Sequence, residues 1–327
     1  MNIKLFEKLH GEGKLSLESL ERVKTAESGK LFSLHWELKT LLYLGVLLFS
    51  GGLGTLIYKN IDTIGHQAIL LVIAAVSGGC YFYCFKHKLS FSRHKVLPPN
   101  SFFDYILLLG CLTFVSFITY LQAQYTVFGY NLSAATFIPM LVLFFSAYYF
   151  DHIGVLSLAI TNLAAWMGVT VTPLNILAAN DFGDERLIFT GIILGAILVG
   201  AAYLSRMKDF KKHFAFTFSN FGVHIMYIAL IAAQIVFDNV IWFLPIAALT
   251  VFFIIQARKE HSFYFILISV LYSYFSLSAA IIQLAWHSSF LDEGLLMLVC
   301  IYFIGSAIAL IVLLMREHKK LKAHDRV

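Results

Sequence analysis

Ten long apolar runs, none containing Lys or Arg, constrain this chain more than any other feature. A helix needs about 20 apolar residues to cross the hydrocarbon core of a bilayer, so each run predicts a transmembrane helix. The fold class we expect is therefore all-α, a polytopic transmembrane helix bundle of about ten spans. The predicted spans are residues 41–58, 67–85, 103–121, 134–150, 153–171, 187–205, 214–237, 240–255, 262–286 and 294–315.

The composition agrees with a membrane protein. Hydrophobic residues make up 59% of the 327 residues and charged residues only 13%, whereas soluble domains carry about 25% charge. The runs are continuously apolar, which favours helices over the alternating strands of a membrane barrel. Together these features exclude a soluble globular domain.

Positive charge predicts the orientation. With the amino terminus inside, 22 of the 24 Lys and Arg residues lie in connections on one side, and positive charge is retained on the cytoplasmic side during insertion. We therefore expect both termini to be cytoplasmic and the chain to lie in the cytoplasmic (inner) membrane. The connection Asp151-His152 is an exception, because it carries no Lys or Arg.

The first two spans carry a recognisable pattern. A glycine-bearing first span with Gly51, Gly52 and Gly54 leads into the connection Asn60-Ile61-Asp62 and an apolar second span. The pattern resembles the family of predicted bacterial membrane proteins called domain of unknown function 2157 (DUF2157), although an isoleucine stands where the family usually has tryptophan. The resemblance covers about residues 1–85. It implies a prokaryotic inner-membrane protein and no particular activity.

The chain divides into four predicted regions. Residues 1–39 form a cytoplasmic helical hairpin, whose seven bases and six acids do not favour a nucleic-acid partner. Residues 40–86 are the two-span family module. Residues 101–212 and 213–321 are two four-span units, and short motifs that recur about 108 residues apart, such as those around Pro139 and Pro245, indicate a parallel repeat.

One span carries a stripe of polar residues. Along 214–237, positions 220, 224, 227, 231 and 234 recur at alternating steps of four and three, which places them on one helix face; all are polar except Ile231. His224 lies near mid-membrane depth, where an ionisable group is a functional-site hypothesis, although polar residues in bundles also simply bond neighbouring helices. The predicted substrate-binding residues are Asn220, His224, Tyr227 and Gln234.

Other polar patterns are weaker. A second stripe of Ser269, Ser273, Ser276, Gln283 and His287 follows the ninth span and favours close helix packing over a wet path. The thiols Cys80 and Cys84 share a helix face with His87, a pattern that suits a soft metal; we interpret them as structural thiols, since a fourth ligand is not evident. We predict no metal site, and no motif predicts a cofactor.

These observations leave three functional hypotheses. The first is binding or passage of a small, uncharged or weakly polar solute, since the spans hold no fixed charge for an ion. The second is a non-transporting scaffold or sensor that acts through the hairpin. The third is an enzyme of the outer face that uses the carboxylates of Asp62, Asp181, Asp184 and Glu185, although loop acids of this kind are more often simply solvated. The bilayer is the predicted partner, and the sequence does not predict an oligomeric state.

Overall fold

The fold of the described chain is helical throughout. A computed structural model describes residues 9–12, 15, 16, 18, 19, 21, 34–100, 102–129, 132–171, 184–287 and 293–324. The structure is 85% helix, and no strand occurs among these residues. The long helices are α1 (Leu34–Ile64), α2 (His66–His87), α3 (Phe103–Tyr125), α4 (Leu132–Phe150), α5 (Ile153–Val171), α6 (Glu185–Met207), α7 (Phe214–Val236), α8 (Phe243–Lys259), α9 (Phe263–His287) and α10 (Glu293–His324), with a 3₁₀ turn, Val240–Trp242, before α8.

Each predicted span falls on one of these helices. In the described part of the chain, nine helices are long and apolar enough to cross a membrane. The apolar stretch of α5, Ile153–Gly168, is shorter than the roughly 17–25 residues of a typical span. The multi-pass helical fold is therefore confirmed, with nine candidate spans rather than ten. The predicted amino-terminal hairpin, 1–39, lies largely outside the described residues.

Neighbouring helices form hairpins at one end of the bundle. The closest pairings are α2 with α3, α4 with α5, α6 with α7 and α8 with α9. Backbone contacts join the connections within this end: Lys211 N–H donates to the carbonyl of Arg93 at 2.7 Å, and Val96 N–H donates to the carboxylate of Asp151. We call this the basic end; it comprises connections 88–102, 151–152, 208–213 and 260–262. That it faces the cytoplasm stays a prediction from charge.

The most buried of the described long helices is α7, with 13 of its 23 residues buried. Glycines let it approach α6 closely, since a Cβ on Gly195 would lie 2.8 Å from the Cβ of Met226. A Cβ on Gly222 would lie 3.0 Å from the backbone nitrogen of Val199. Small residues of this kind are what membrane helices use to pack without a hydrophobic driving force. The site described below is built on this helix.

The turns that follow α4 and α8 share one backbone geometry. Asp151, after α4, and His261, after α8, both have positive φ, 60° and 53°. In each turn the next N–H bonds the carbonyl five residues back, from His152 to Ala147 and from Ser262 to Ala257, which is the Schellman arrangement. The same arrangement also follows α6, at Asp209 and Phe210, and α7, at Asp238 and Asn239. It therefore does not distinguish the two units, and the division into units 101–212 and 213–321 stays a prediction.

Candidate functional site

The polar stripes predicted on two separate spans face each other. One runs along α7 and the other along α9, and hydrogen bonds join them from Asn220, nearer the basic end, to Gln234. Neither helix contains Asp, Glu, Lys or Arg. The contact between them is therefore polar but carries no fixed charge inside the span.

His224 lies within a directed chain of hydrogen bonds. Tyr264 donates its hydroxyl proton to Asn220 Oδ1 at 2.6 Å, so its oxygen is free to accept from His224 Nε2 at 3.2 Å. The other nitrogen, His224 Nδ1, then accepts from the hydroxyl of Tyr272 at 2.8 Å. This order assigns the neutral tautomer with the proton on Nε2. Both nitrogens of the half-buried imidazole are thus satisfied by tyrosines of α9.

Tyr227 and Gln234 lie on the same stripe but are fully buried. The hydroxyl of Tyr227 bonds Thr250 Oγ1 of α8 at 2.9 Å, and its ring stacks on that of Tyr272 with centroids 4.9 Å apart. The amide of Gln234 donates to the carbonyl of Ser276 at 3.1 Å and accepts from the hydroxyl of the same residue. These two predicted site residues therefore contact neighbouring helices.

At the end away from the basic end, the stripe finishes in exposed polar residues. Gln283 donates to the carbonyl of Gln234 at 2.9 Å and to Asp238 Oδ1 at 3.3 Å. His287 Nε2 lies 3.1 Å from Asp238 Oδ2, and both side chains are more than half exposed. The stripe thus changes along its length. It begins with the half-buried His224, continues with the buried pair of Gln234 and Ser276, and ends with the exposed pair of Asp238 and His287.

A groove lies beside the histidine, between α7 and α9. Its volume is about 660 Å³, and its rim residues Ile228 and Phe275 are 58% and 55% exposed, so it opens sideways to the lipid-facing surface. His224 and Tyr272 supply its polar groups. The remaining lining is apolar: Ile228, Ile231, Ala232, Ile235, Ile268, Leu271 and Phe275.

The two tyrosines that hold His224 were not among the predicted site residues. On α9, Tyr264 and Tyr272 lie eight residues apart, two steps of i+4, and so share a face. That spacing was visible in the sequence. The aromatic rings of tyrosine fit a hydrophobic span, so in the sequence only the serines, Gln283 and His287 of this span stand out as polar.

A second polar cluster lies at the basic end, and it is charged. The carboxylate of Asp151 lies 3.1 Å from Lys211 Nζ and 2.6 Å from His213 Nε2. The side chains of Asp151 and Lys211 are 2% and 1% exposed, and the backbone N–H of Val96 also donates to the carboxylate. Connection 151–152 has no Lys or Arg of its own, and its acid is neutralised by Lys211 of connection 208–213 at the same end of the bundle.

Beside that cluster lies a buried histidine. His152 Nδ1 accepts the N–H of Val155 at 3.0 Å, so the neutral ring carries its proton on Nε2. That nitrogen has no hydrogen-bond partner in the described structure; Asp104 Oδ1 lies 3.9 Å away. Burial lowers the pKa of His152, and the Asp104 carboxylate opposes the shift.

Other predicted chemistry has little support among the described residues. No group of three His, Cys, Asp or Glu side chains that could hold a metal ion occurs in the part searched. His87 Nδ1 bonds the carbonyl of Tyr83 at 3.0 Å. Asp184 caps α6 by accepting the N–H of Arg186 at 2.8 Å, whereas Asp181 and the side chain of Asp62 lie outside the description.

These features define a class: a polytopic helical membrane protein with an uncharged polar contact between two spans. Its apolar helix faces contact the lipid bilayer. Residues 9–156 match the model of the DUF2157 family, described as predicted membrane proteins, which confirms the resemblance and extends it beyond residue 85. No curated protein and no solved structure matches the chain. Helices α7 and α9 lie outside the matched residues.

Proposed function

We propose that this chain binds a small, uncharged or weakly polar solute in the groove between α7 and α9. The observation that carries the proposal is the placement of His224 and Tyr272 at the wall of an otherwise apolar groove. Apolar pockets with a few placed polar groups are the usual form of small-molecule sites. A solute with one hydroxyl or carbonyl group would accept the proton of His224 Nε2 in place of Tyr264, whose 3.2 Å bond to the imidazole is the longer of the imidazole's two bonds.

The polarity of the groove sets the class of solute. Since α7 and α9 carry no fixed charge, an ionic solute would lose its hydration without a counter-charge, which is costly. A solute that already partitions into lipid can enter sideways between Ile228 and Phe275. In this proposal His224 is the main polar contact. Asn220 retains the hydroxyl of Tyr264 once the solute replaces it at His224, and Tyr227 and Gln234 hold α7 against its neighbours.

Photolabelling with a diazirine-bearing octanol tests the proposal. The probe is apolar apart from one hydroxyl, and the purified full chain in lipid nanodiscs would be irradiated, digested and mapped by mass spectrometry. We expect labels on groove residues of α7 and α9, with protection by excess octanol. His224→Leu should reduce this labelling about tenfold, the equivalent of one lost hydrogen bond to a desolvated partner.

Two variants give the controls. His287→Leu makes the same chemical change at an exposed position outside the groove and should leave the labelling unchanged. Ala232→Phe fills the groove from α7 and should abolish labelling while His224 stays in place. Equal labelling of all three variants and the parent chain would disprove the site.

A further inference from the structure

A second groove separates α10 from α8 and α9, and polar contacts bridge it at two points along its length. At the basic end, Arg258 of α8 forms a two-pronged ion pair with Glu317 of α10 at 2.9 and 3.1 Å. Deeper in the bundle, Tyr274 bonds Ser306 at 3.1 Å. The three helices are thus joined at two levels, with a space of about 360 Å³ between them.

The walls of this groove are mainly apolar. The aliphatic lining residues are Ile254, Ile266, Val270, Leu277, Ala309, Leu310 and Leu313. An unfilled apolar space forfeits dispersion contacts along its walls. Water needs two to four polar partners, and the lining hydroxyls of Thr250, Tyr274, Tyr302 and Ser306 already bond groups of the protein. A flexible hydrocarbon chain satisfies both requirements.

The length of the groove matches one leaflet. From Glu317 at the basic end to Tyr302 near the deep end is 15 residues of α10, or about 22 Å at 1.5 Å per residue. Half of a hydrocarbon core is about 15 Å, and the remainder reaches the headgroup level. The groove therefore accommodates one acyl chain of a lipid whose headgroup lies at the basic end.

The charge at the mouth selects the headgroup. Glu317 is shared by Arg258 and by Lys320, whose Nζ lies 3.1 Å from Oε1, so the three side chains carry a net positive charge. Arg258 is 53% exposed and has five N–H donors, of which Glu317 uses two. The others can bond a phosphate without breaking the ion pair.

We propose that this groove is a binding site for an anionic phospholipid of the leaflet at the basic end. One acyl chain lies between α10 and the α8–α9 hairpin, and the phosphate bonds Arg258 and Lys320. The site is separate from the groove at His224, so either proposal can fail while the other stands.

Native mass spectrometry of the full chain tests the lipid site. The detergent-solubilised protein would be mixed with equal amounts of phosphatidylglycerol and phosphatidylcholine that carry the same acyl chains. We expect the parent chain to retain phosphatidylglycerol preferentially. Arg258→Gln should reduce that preference about tenfold, as for one charge-assisted hydrogen bond, whereas Arg316→Gln, an exposed arginine outside the groove lining, should preserve it.

A matched pair of alanine variants tests the acyl chain. Ala309→Phe fills the groove and should remove both lipids, while Ala307→Phe adds the same ring to an exposed position outside the lining and should retain them. Unfolding by sodium dodecyl sulfate would be compared in the same variants to establish that each is folded. Equal phosphatidylglycerol retention by folded Ala309→Phe and Ala307→Phe would overturn the proposal, as would a parent chain with no preference between the two lipids.

Discussion

At the basic end the buried polar groups are charged, whereas along α7 and α9 they are neutral. Asp151 and Lys211 are both nearly inaccessible and lie 3.1 Å apart; Gln234 and Ser276, equally buried, meet through an amide and a hydroxyl. A buried charge is costly once it lacks its partner, but a neutral amide in a membrane bundle loses little. The two regions should therefore respond very differently to single substitutions.

Asp151→Asn should produce the largest loss of stability. The substitution keeps the size of the side chain but leaves the Lys211 ammonium buried without its carboxylate. We expect the free energy of unfolding to fall by about 3–5 kcal/mol, measured by titration with sodium dodecyl sulfate in mixed micelles. Asp209→Asn, at a position 63% exposed in the next connection of the basic end, should change it by less than about 0.5 kcal/mol.

A double variant sharpens this test. Lys211→Met removes the second charge, so Asp151→Asn combined with Lys211→Met leaves no unpaired ion and should be more stable than Asp151→Asn alone. If the loss of unfolding free energy in the double variant equals the sum of the losses in Asp151→Asn and Lys211→Met measured separately, the ion pair is not the source of the effect. The contrast between charged and neutral regions would then have to be abandoned.

The histidine beside the charged cluster should make stability depend on pH. Burial lowers the pKa of His152 below its ordinary 6.5, so below pH 6.5 the unfolded chain binds a proton that the folded chain does not. Stability is then full above pH 6.5 and falls as the pH decreases, by up to about 1.4 kcal/mol per pH unit, until the folded imidazole is protonated. The free energy of unfolding, measured one pH unit above and one pH unit below 6.5, gives the size of this loss.

His152→Asn isolates this contribution. Asparagine retains a side-chain acceptor for the N–H of Val155, as helix caps require, and does not titrate. The variant should flatten the dependence below pH 6.5, whereas His94→Asn, at a position 74% exposed, should retain the parent slope. A slope unchanged in His152→Asn would assign the acid sensitivity to another group.

The helices were predictable because hydrocarbon thickness sets their length and every span excludes Lys and Arg. The bounds of α5 agree with the sequence at both ends, residues 153 and 171. The largest departures are α1 and α10, which extend beyond the predicted spans 41–58 and 294–315 into segments that hold charged residues such as Lys39 and Lys320. A helix can continue beyond the hydrocarbon where its side chains reach water. Apolar runs identify the membrane-embedded part of a helix and not its full extent.

The pairing of the stripes was not predictable from either stripe alone. Helical periodicity placed His224 on one face of α7, but it contains no information about which helix covers that face. Asp151 illustrates the same difficulty, since its partner Lys211 is 60 residues further along the chain. The glycines Gly51 and Gly52 of the first span have no neighbouring atom within 4 Å of an added Cβ, so small residues do not always mark a helix contact.

Within the neutral stripe, Gln234→Leu should cause a moderate loss. It removes the hydrogen bonds to Ser276 and Gln283 while keeping an apolar side chain of similar size. We expect a loss of about 1 kcal/mol, between the mean of about 0.6 kcal/mol and the maximum of about 1.7 kcal/mol for interhelical hydrogen bonds in a membrane bundle. Gln67→Leu, at an exposed position of α2, is the matched control. A loss as large as that of Asp151→Asn would remove the distinction between the two regions.

The smallest effect on stability should come from His224→Leu. The imidazole is half-buried at the edge of the groove, and after its removal Tyr264 retains Asn220 as a partner while Tyr272 keeps its stacking on Tyr227. We expect a loss of unfolding free energy below about 0.6 kcal/mol, together with the roughly tenfold fall in photolabelling. That combination separates a binding residue from a packing residue on one helix. If His224→Leu instead costs as much stability as Gln234→Leu and leaves labelling intact, His224 only holds α7 to α9, and the neutral stripe is a packing contact along its whole length.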